Sequence, residues 1–196
     1  MCGRLNVIDD PLVQQICGFL GMDFSTDTNT NLCPSQLVST IIHNSNGYQQ
    51  LDSKWGIKPD WSKQLIINAR SETATTKRTF RNAFYKARCL VPCSGWYEWK
   101  TAENKTKQKY LFQHTNTEPF FMAGIYYQTT TEHELVTLTT SPNQKCGAIH
   151  SRMPLLIAPN DIERWFTLDI KYLTDLMKPF DEELIQILPS VIQEKQ

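Results

Sequence analysis

The sequence lacks several patterns by which particular classes of protein are recognised. None of its six cysteines forms a Cys-x-x-Cys pair, and its four histidines do not cluster with them. No apolar run approaches the roughly 18 residues that span a bilayer, and the amino terminus has no basic-plus-apolar signal pattern. We therefore predict a reduced, cytoplasmic protein with no membrane partner, no metal and no cofactor.

A strong net charge is also missing, although the charges are unevenly distributed. The 20 basic residues balance 20 acidic ones, so no overall attraction to polyanions is expected. Between residues 66 and 90, however, one acid, Glu72, accompanies six basic residues: Arg70, Lys77, Arg78, Arg81, Lys86 and Arg88. Such a segment forms either a basic face that binds phosphates or an ordinary solvated helix flank.

Short apolar segments and a few helical patterns alternate along the chain. Asp10 and Pro11 predict the start of a helix that ends at Gly21, and a second helix, capped by Thr75 or Thr76, turns Phe80 and Phe84 to the core. Two short helices begin at residues 160 and 170, and loops are predicted at residues 25–31 and 100–109. Strands are predicted at residues 37–43, 65–67, 89–91, 95–99, 110–113, 120–127, 135–140 and 153–157. This pattern predicts an α+β fold with a largely antiparallel, curved and barrel-like sheet and short peripheral helices.

Cys2 directly follows the initiator methionine. Aminopeptidases that remove Met1 prefer a small second residue, and cysteine is small enough. We expect this removal to leave Cys2 with a free α-amine and a thiol on adjacent carbons. That group is a 1,2-aminothiol, which no internal residue can offer. The alternative is that Cys2 is simply a small residue at a frayed terminus.

Four short segments set polar side chains among apolar ones, at residues 1–4, 67–72, 95–99 and 149–154. Together they offer a nucleophile, an amide, a carboxylate, an imidazole and several guanidinium groups, which suit a polar site. The aromatic neighbours of Glu98 favour a raised pKa and proton transfer, whereas strand alternation favours a solvent-facing glutamate. His150 is either part of the site or a hydrogen-bonded structural histidine.

Eight strings in the sequence resemble those of the SOS-response-associated peptidase (SRAP) family, in that family's order and rough spacing. They lie at residues 2–4, 55–61, 67–73, 80–84, 88–92, 95–99, 123–124 and 149–154. The most specific are Asn-Ala-Arg-Ser-Glu-Thr and His-Ser-Arg-Met-Pro. The resemblance implies a single SRAP domain over residues 1–196, with the motifs within 2–166 and a helical end at 160–196.

The resemblance also implies abasic-site processing in the response to DNA damage. Family members bind single-stranded DNA that has lost a base and crosslink to it through the N-terminal cysteine, and "peptidase" refers to release of the residues before that cysteine. By this resemblance Asn68 orients the Cys2 backbone and the sugar. Glu98 moves protons and assists crosslink reversal, and His150 protonates or holds the opened sugar oxygen.

A DNA-binding surface is implied in the same way. Guanidinium groups suit phosphate oxygens, and the matching residues are Arg4, Arg70, Arg78 and Arg152. Pro34 and Trp61 match positions that wedge or stack beside the lesion. The chain departs from the family's Arg-Tyr-Asn pattern before Pro34, so one basic contact is expected to be missing there. The lack of a partner-binding tail favours a bacterial or phage form, and we expect a monomer, nucleoid-associated if bacterial.

Two other functions fit parts of the sequence. A cysteine peptidase acting on other proteins would use Cys2 as nucleophile and His150 as base, and it would need no DNA. A non-covalent nucleic-acid binding module would keep its binding when Cys2 is replaced. The set of arginines argues against the peptidase, and a covalent adduct with abasic DNA would exclude the binding module.

Overall fold

The computed structural model describes residues 3–101 and 105–190. The strands in these ranges are β1 (Leu5–Val7), β2 (Asn29–Leu32), β3 (Leu37–Asn44), β4 (Gly47–Trp55), β5 (Asn68–Arg70), β6 (Arg88–Cys93), β7 (Gly95–Thr101), β8 (Lys107–His114), β9 (Phe120–Gln128), β10 (His133–Thr140), β11 (Met153–Pro154), β12 (Leu156–Ile157) and β13 (Ile185–Ser190). The α-helices are α1 (Asp9–Leu20), α2 (Ser71–Ala74), α3 (Arg78–Lys86), α4 (Gln144–Gly147) and α5 (Ile162–Thr167). Short 3-10 helices lie at Pro159–Asp161, Ile170–Tyr172 and Glu182–Leu184.

Five strands of the larger sheet close into a ring, in the order β10, β4, β3, β6 and β9. The ring closes because β9 pairs with β6 along one edge and with β10 along the other. β10 runs parallel to β4 and β5, and the other strand pairs of the described chain are antiparallel. The predicted α+β fold, with its largely antiparallel and curved sheet, is confirmed.

The smaller sheet has the order β13, β8, β7, β1 and β2. β1 lies inside it, because Leu5 pairs with Trp96 of β7 on one side and with Leu32 of β2 on the other. Both edges of this three-residue strand are therefore hydrogen-bonded, which anchors the start of the described chain in the sheet.

The helices follow the predicted patterns at most positions. α1 ends at Gly21, whose φ of 61° suits a residue without a Cβ. On α3, Phe80 and Phe84 are buried as predicted. The predicted cap at Thr75 or Thr76 is wrong, because the extended residue before α3 is Lys77 and its side chain makes no capping bond.

Several predicted boundaries are also wrong. The strand predicted at 65–67 lies at β5 instead, because the backbone of residues 68–70 pairs with β10 while Ile66 bridges to Ile57. The loop predicted at 25–31 includes part of β2, and the loop predicted at 100–109 is shortened by β7 and β8. The helix predicted at residue 170 is a three-residue 3-10 helix. β1, β4 and β13 were not predicted.

One contiguous hydrophobic core joins the two sheets, with Trp55, Trp96 and Trp165 fully buried in it. Within the described residues, none of the helices combines the length and the hydrophobicity needed to cross a membrane. The assignment of residues 1–196 to a single domain stays a prediction.

Candidate functional site

The register between β1 and β7 positions the beginning of the described chain. Leu5 pairs with Trp96 and Asn6 with Gly95, and the backbone N–H of Tyr97 donates to the carbonyl of Arg4 at 3.0 Å. Continuing this antiparallel register by one residue brings Gly3 opposite Glu98. Cys2, the predicted nucleophile, lies outside the described residues.

Glu98 is buried on the inner face of β7. Only 3% of its surface is exposed, and strand alternation turns it to the same side as the fully buried Trp96. Loss of hydration raises the pKa of the Glu98 carboxyl, and the nearby imidazole of His150 acts in the opposite direction. The solvent-facing alternative for Glu98 is therefore wrong. A buried carboxyl with a raised pKa is suited to donating and accepting protons near neutral pH.

His150 follows α4 in a turn that is held by backbone bonds. Its own N–H donates to the carbonyl of Cys146 at 3.0 Å, and α4 is capped by Asn143, whose Oδ1 accepts from Cys146 N at 2.8 Å. The N–H of Arg152 lies 3.0 Å from His150 Nδ1. Nδ1 also lies 3.1 Å from the carbonyl oxygen of Arg152, so the main chain of Arg152 holds this ring nitrogen in either tautomer. His150 is therefore hydrogen-bonded through Nδ1, as the structural alternative expected. The ring also lies close enough to Glu98 to influence the charge of that carboxyl.

Asn68 is the first residue of β5, beside β10. Thr137 Oγ1 donates to Asn68 Oδ1 at 2.6 Å, and the same hydroxyl lies 3.1 Å from the carbonyl of Ile67. The bond to Thr137 fixes which way the amide points, since its oxygen faces β10 and its NH2 group faces away. The Asn68 side chain is therefore held in one orientation by β10.

Arg152 is engaged inside the protein. Its Nη1 and Nη2 atoms bind the two carboxylate oxygens of Glu72 at 2.7 and 2.8 Å, and Nη2 also donates to the carbonyl of Thr139 at 2.6 Å. The Arg152 side chain is 16% exposed and that of Glu72 45%. The hydrogen bond from Arg152 is the main reason that the pKa of Glu72 lies below its usual range. Sequence reasoning assigned Arg152 to a phosphate and gave Glu72 no role.

Arg4 belongs to a basic and aromatic face of the smaller sheet, opposite to the face that carries Glu98, and the Tyr97 ring in it is buried. Registers across β2, β1, β7 and β8 bring Cys33, Arg4 and Tyr97 to this face, and Trp99 pairs there with Lys109. Lys109 Nζ lies 3.8 Å from the centre of the Tyr97 ring and 5.8 Å from that of Trp99. Burial and the positive charge of Arg4 lower the pKa of Lys109. Sequence reasoning missed Lys109, which it placed at the end of a predicted loop.

The other predicted DNA-binding residues are distributed over two further places. Trp61, which is 69% exposed, and Arg78 line one open groove of about 650 Å³, together with Lys58 and Pro59. Arg70 is exposed at the end of β5. Pro34 is half-buried in the tight turn after β2, beside Cys33 of the basic face. The structure thus brings Trp61 and Arg78 together in one groove.

The cysteines of the described ranges carry no disulfide. Burial raises the pKa of the Cys93 and Cys146 thiols to about 12 and also raises that of Cys89. Cys17 and Cys33 are half-buried. In residues 3–101 and 105–190, no group of three or more His, Cys, Asp and Glu side chains has the arrangement of a metal site.

Comparison with known proteins identifies the family. The model of the SOS response associated peptidase (SRAP) family matches residues 1–192, and the chain belongs to this family. It is 32% identical to the abasic site processing protein YoqW of Bacillus subtilis, over 93% of this chain and 89% of that protein. It is also 34% identical to the abasic site processing protein YedK of Escherichia coli, over 59% of this chain and 54% of that one.

Solved structures support the fold. A protein of Bordetella bronchiseptica superposes with a TM-score of 0.83 at 19% identity, covering 97% of this chain and all (100%) of the other. A protein of Bacteroides thetaiotaomicron superposes with a TM-score of 0.78 at 24% identity, covering 96% and 91%. At these identities the likeness concerns the architecture alone.

The two carboxyl groups of the site are expected to have opposite effects on stability. Ionised Glu98 destabilises the fold, because its folded-state pKa is raised; this cost is absent below the unfolded-state pKa of about 4.3 and complete above the folded-state pKa. Glu98→Gln should therefore be more stable than the unsubstituted protein at about pH 8 and equally stable below about pH 4. The measurement is the free energy of unfolding by urea at several pH values.

Glu72→Gln is the matched comparison. Because the folded-state pKa of Glu72 is lowered, its stabilisation is present above about pH 4.3 and is lost as the pH falls through the folded-state value. This variant should be less stable at about pH 8, by no more than about 1 kcal/mol for so exposed a group, and the difference should vanish in acid. Changes of the same sign in both variants would contradict the two environments described.

Proposed function

We propose that the protein captures abasic sites in single-stranded DNA through a covalent bond to Cys2, after removal of Met1. The product is a thiazolidine ring that contains the Cys2 nitrogen and sulfur and C1′ of the opened sugar. It shields the lesion until it is hydrolysed or degraded. We further propose that the protein acts as a monomer and without a metal or cofactor.

The observation that carries this proposal is the pairing of β1 with β7, which brings the start of the described chain beside the strand that carries the buried Glu98. Cys2 is joined to Gly3 by one peptide bond, and consecutive Cα atoms lie about 3.8 Å apart. The pairing of β1 with β7 therefore supports a proposal in which the nucleophile reacts beside Glu98, whose charge is influenced by the His150 imidazole. The abasic-site processing named for YoqW and YedK supports the same assignment.

The first step is attack by the neutral α-amine on the aldehyde carbon C1′. A terminal amine has a pKa of about 7.7–8.0, so a useful fraction is neutral near pH 7. The carbinolamine then loses water to give an imine, and the departing hydroxyl needs a proton. Glu98 is suited to supply it, because burial keeps its carboxyl protonated to higher pH than an exposed glutamate.

The second step closes the ring. The Cys2 sulfur adds to the imine carbon while its proton passes to the imine nitrogen, so aldehyde and aminothiol together give a thiazolidine and one water. Because both groups belong to one residue, this step is intramolecular and gains the advantage of proximity. Alanine at position 2 would stop at the reversible imine. Asn68 would hold the sugar or the Cys2 backbone with its oriented NH2 group, and His150 would hold the opened sugar oxygen.

The basic and aromatic surfaces fit an unpaired strand. Arg4 and Lys109 would contact phosphates on one side of the lesion, and Arg70 and Arg78 would do so on the other. Trp61 offers an exposed indole on which a base could stack, which is worth roughly 1–3 kcal/mol. Pro34 lies at the edge of this surface, where it would wedge beside the missing base.

Replacement of Cys2 tests the covalent step. Cys2→Ala should abolish the heat- and SDS-stable adduct with an abasic single-stranded oligonucleotide, measured on a denaturing gel. Cys17→Ala, which alters a half-buried thiol of α1, should form the adduct at the wild-type rate. An adduct of unchanged yield in Cys2→Ala would exclude the proposal. Peptide turnover that depends on Cys2 in the absence of DNA would favour the peptidase alternative.

Replacement of Lys109 tests the proposed DNA surface. If Lys109 neutralises one phosphate, Lys109→Gln should weaken binding to single strands at low salt and reduce the slope of log affinity against log salt by about 0.7. Lys178→Gln removes an exposed lysine that is paired with Asp175, and it should change neither quantity. Equal salt slopes for Lys109→Gln and the unsubstituted protein would remove Lys109 from the surface.

A further inference from the structure

A small pocket lies between the start of α1 and the smaller sheet, and no step of the proposed reaction uses it. Its volume is about 160 Å³. The residues that line it include Asn6, Pro11, Leu12, Gln15, Gln113 and His114. Three amide groups and an imidazole are thus collected around one small space that also has apolar walls.

Strand pairing forms one side of this pocket. Asn6 of β1, Gly95 of β7 and Gln113 of β8 pair in one row across the smaller sheet. Gly95 contributes no side chain to this row, and a Cβ there would lie 2.3 Å from the carbonyl oxygen of Phe112. A glycine within a strand often marks a place where a ligand or another backbone comes close. The row therefore keeps an open space between the amides of Asn6 and Gln113.

Two of the polar side chains in the lining are almost completely buried. Asn6 is 4% exposed and His114 is 5% exposed. Within the described residues, Asn6 Oδ1 has one distant contact, 3.5 Å from the Tyr97 hydroxyl. His114 Nδ1 accepts from the N–H of Asn116 at 3.2 Å, and its Nε2 is 3.9 Å from the Glu118 carboxylate, which is too far for a hydrogen bond. Both side chains therefore keep hydrogen-bonding capacity for a ligand.

The size and charge of the pocket limit what it can hold. A cavity of about 150 Å³ is enough for one benzene ring, so this pocket has room for one six-membered ring. Asp10 is a carboxylate in the lining, and no lysine or arginine lies among the described lining residues, so a phosphate does not fit. Pro11 and Leu12 offer apolar contact to the faces of a ring. An uncharged, planar ring with hydrogen-bonding groups at its edge matches this lining, and a pyrimidine base is such a ring.

The pocket adjoins the basic and aromatic face. Arg4 and Tyr97 form the next row on the same side of the smaller sheet, two residues along β1 and β7 from Asn6 and Gly95. Two residues of a strand span about 7 Å. The phosphate and the base of one nucleotide are separated by a similar distance, so a nucleotide whose phosphate contacts Arg4 can reach the pocket with its base.

We propose that this pocket holds one pyrimidine base of the bound single strand, while the phosphate of the same nucleotide lies at Arg4. The inference rests on the proposed function for the identity of the ligand, but it requires no covalent bond. A base held in this way is turned out of the stack of its neighbours. It fixes the register of the strand on the protein, and so the position of the abasic sugar relative to Cys2.

The first test follows a fluorescent pyrimidine analogue, placed in turn at each position beside a tetrahydrofuran analogue of the abasic site. This analogue has no aldehyde and cannot crosslink. At one position the fluorescence should rise on binding, because the base leaves its stacked neighbours. Gln15→Phe places a ring in the pocket and should abolish the rise, whereas Gln14→Phe, at an exposed neighbour on α1 outside the lining, should retain it. The absence of such a position, or equal responses of the two variants, would overturn the inference.

The second test measures affinity for an intact oligothymidine strand. Gln15→Phe should bind about fivefold more weakly or worse, which is the lower end of what one stacked base contributes. The slope of log affinity against log salt should stay the same, because no phosphate contact is lost. Gln14→Phe should bind as the unsubstituted protein does. Unchanged affinity of Gln15→Phe, or a weaker affinity with a reduced salt slope, would overturn the inference.

A third variant tests the hydrogen-bonding edge of the pocket. Gln113→Leu keeps the size of the side chain and removes its amide. At the position that the fluorescence identifies, the unsubstituted protein should bind a strand with a pyrimidine more tightly than one with a purine. Gln113→Leu should reduce this preference, and an unchanged preference would contradict a base held through its edge.

These outcomes keep the inference apart from the proposed function. If the unsubstituted protein formed no adduct with an abasic strand, the proposed function would fail, and the strand that cannot crosslink would still decide whether the pocket holds a base. If the adduct formed and no position showed the fluorescence change, the base pocket alone would be wrong.

Discussion

The hydrogen bonds between β1 and β7 are the constraint on which the rest of the site depends. β1 has only three residues, yet it is paired on both edges. The bond from Tyr97 N to Arg4 O extends this pairing to Arg4, near the start of the described chain. Because side chains alternate along β7, this one register directs Glu98 and Tyr97, both buried, to opposite faces of the sheet. The same strand therefore separates a buried acid from a basic surface that suits DNA.

The interior of the site combines groups that stabilise the fold with one that does not. Burial of Glu98 disfavours its charged form, whereas the paired Glu72 is favoured in its charged form by Arg152. Proteins retain a destabilising buried acid where its protonation serves a reaction. In the proposed mechanism Glu98 supplies the proton that an imine-forming step requires.

Local sequence patterns predicted the parts of the fold that depend on local chemistry. Gly21 ends α1 and the Phe80–Phe84 pair faces the core, since both follow from helix geometry alone. β4 is polar at many positions, and it forms because β3 and β10 supply partners along its edges. No local pattern contains that information.

The candidate site, like the fold, could be predicted from the sequence only where it depends on local patterns. Its motifs predicted Asn68, Glu98 and His150 as site residues, but the burial of Glu98 depends on the inner face of a sheet assembled from distant strands. The bonds between Glu72 and Arg152 join residues 80 positions apart, so the commitment of Arg152 to an ion pair could not be read from its motif. Lys109 was missed because its aromatic partners are set by the pairing of β7 with β8.

The most direct measurement of the central claim is the intact mass of the purified protein before and after incubation with an abasic single-stranded oligonucleotide. The account predicts a chain that begins at Cys2, and then a new species whose mass equals protein plus oligonucleotide minus one water. A chain that retains Met1, or one that begins at Cys2 and gains no mass from the abasic strand, would contradict it.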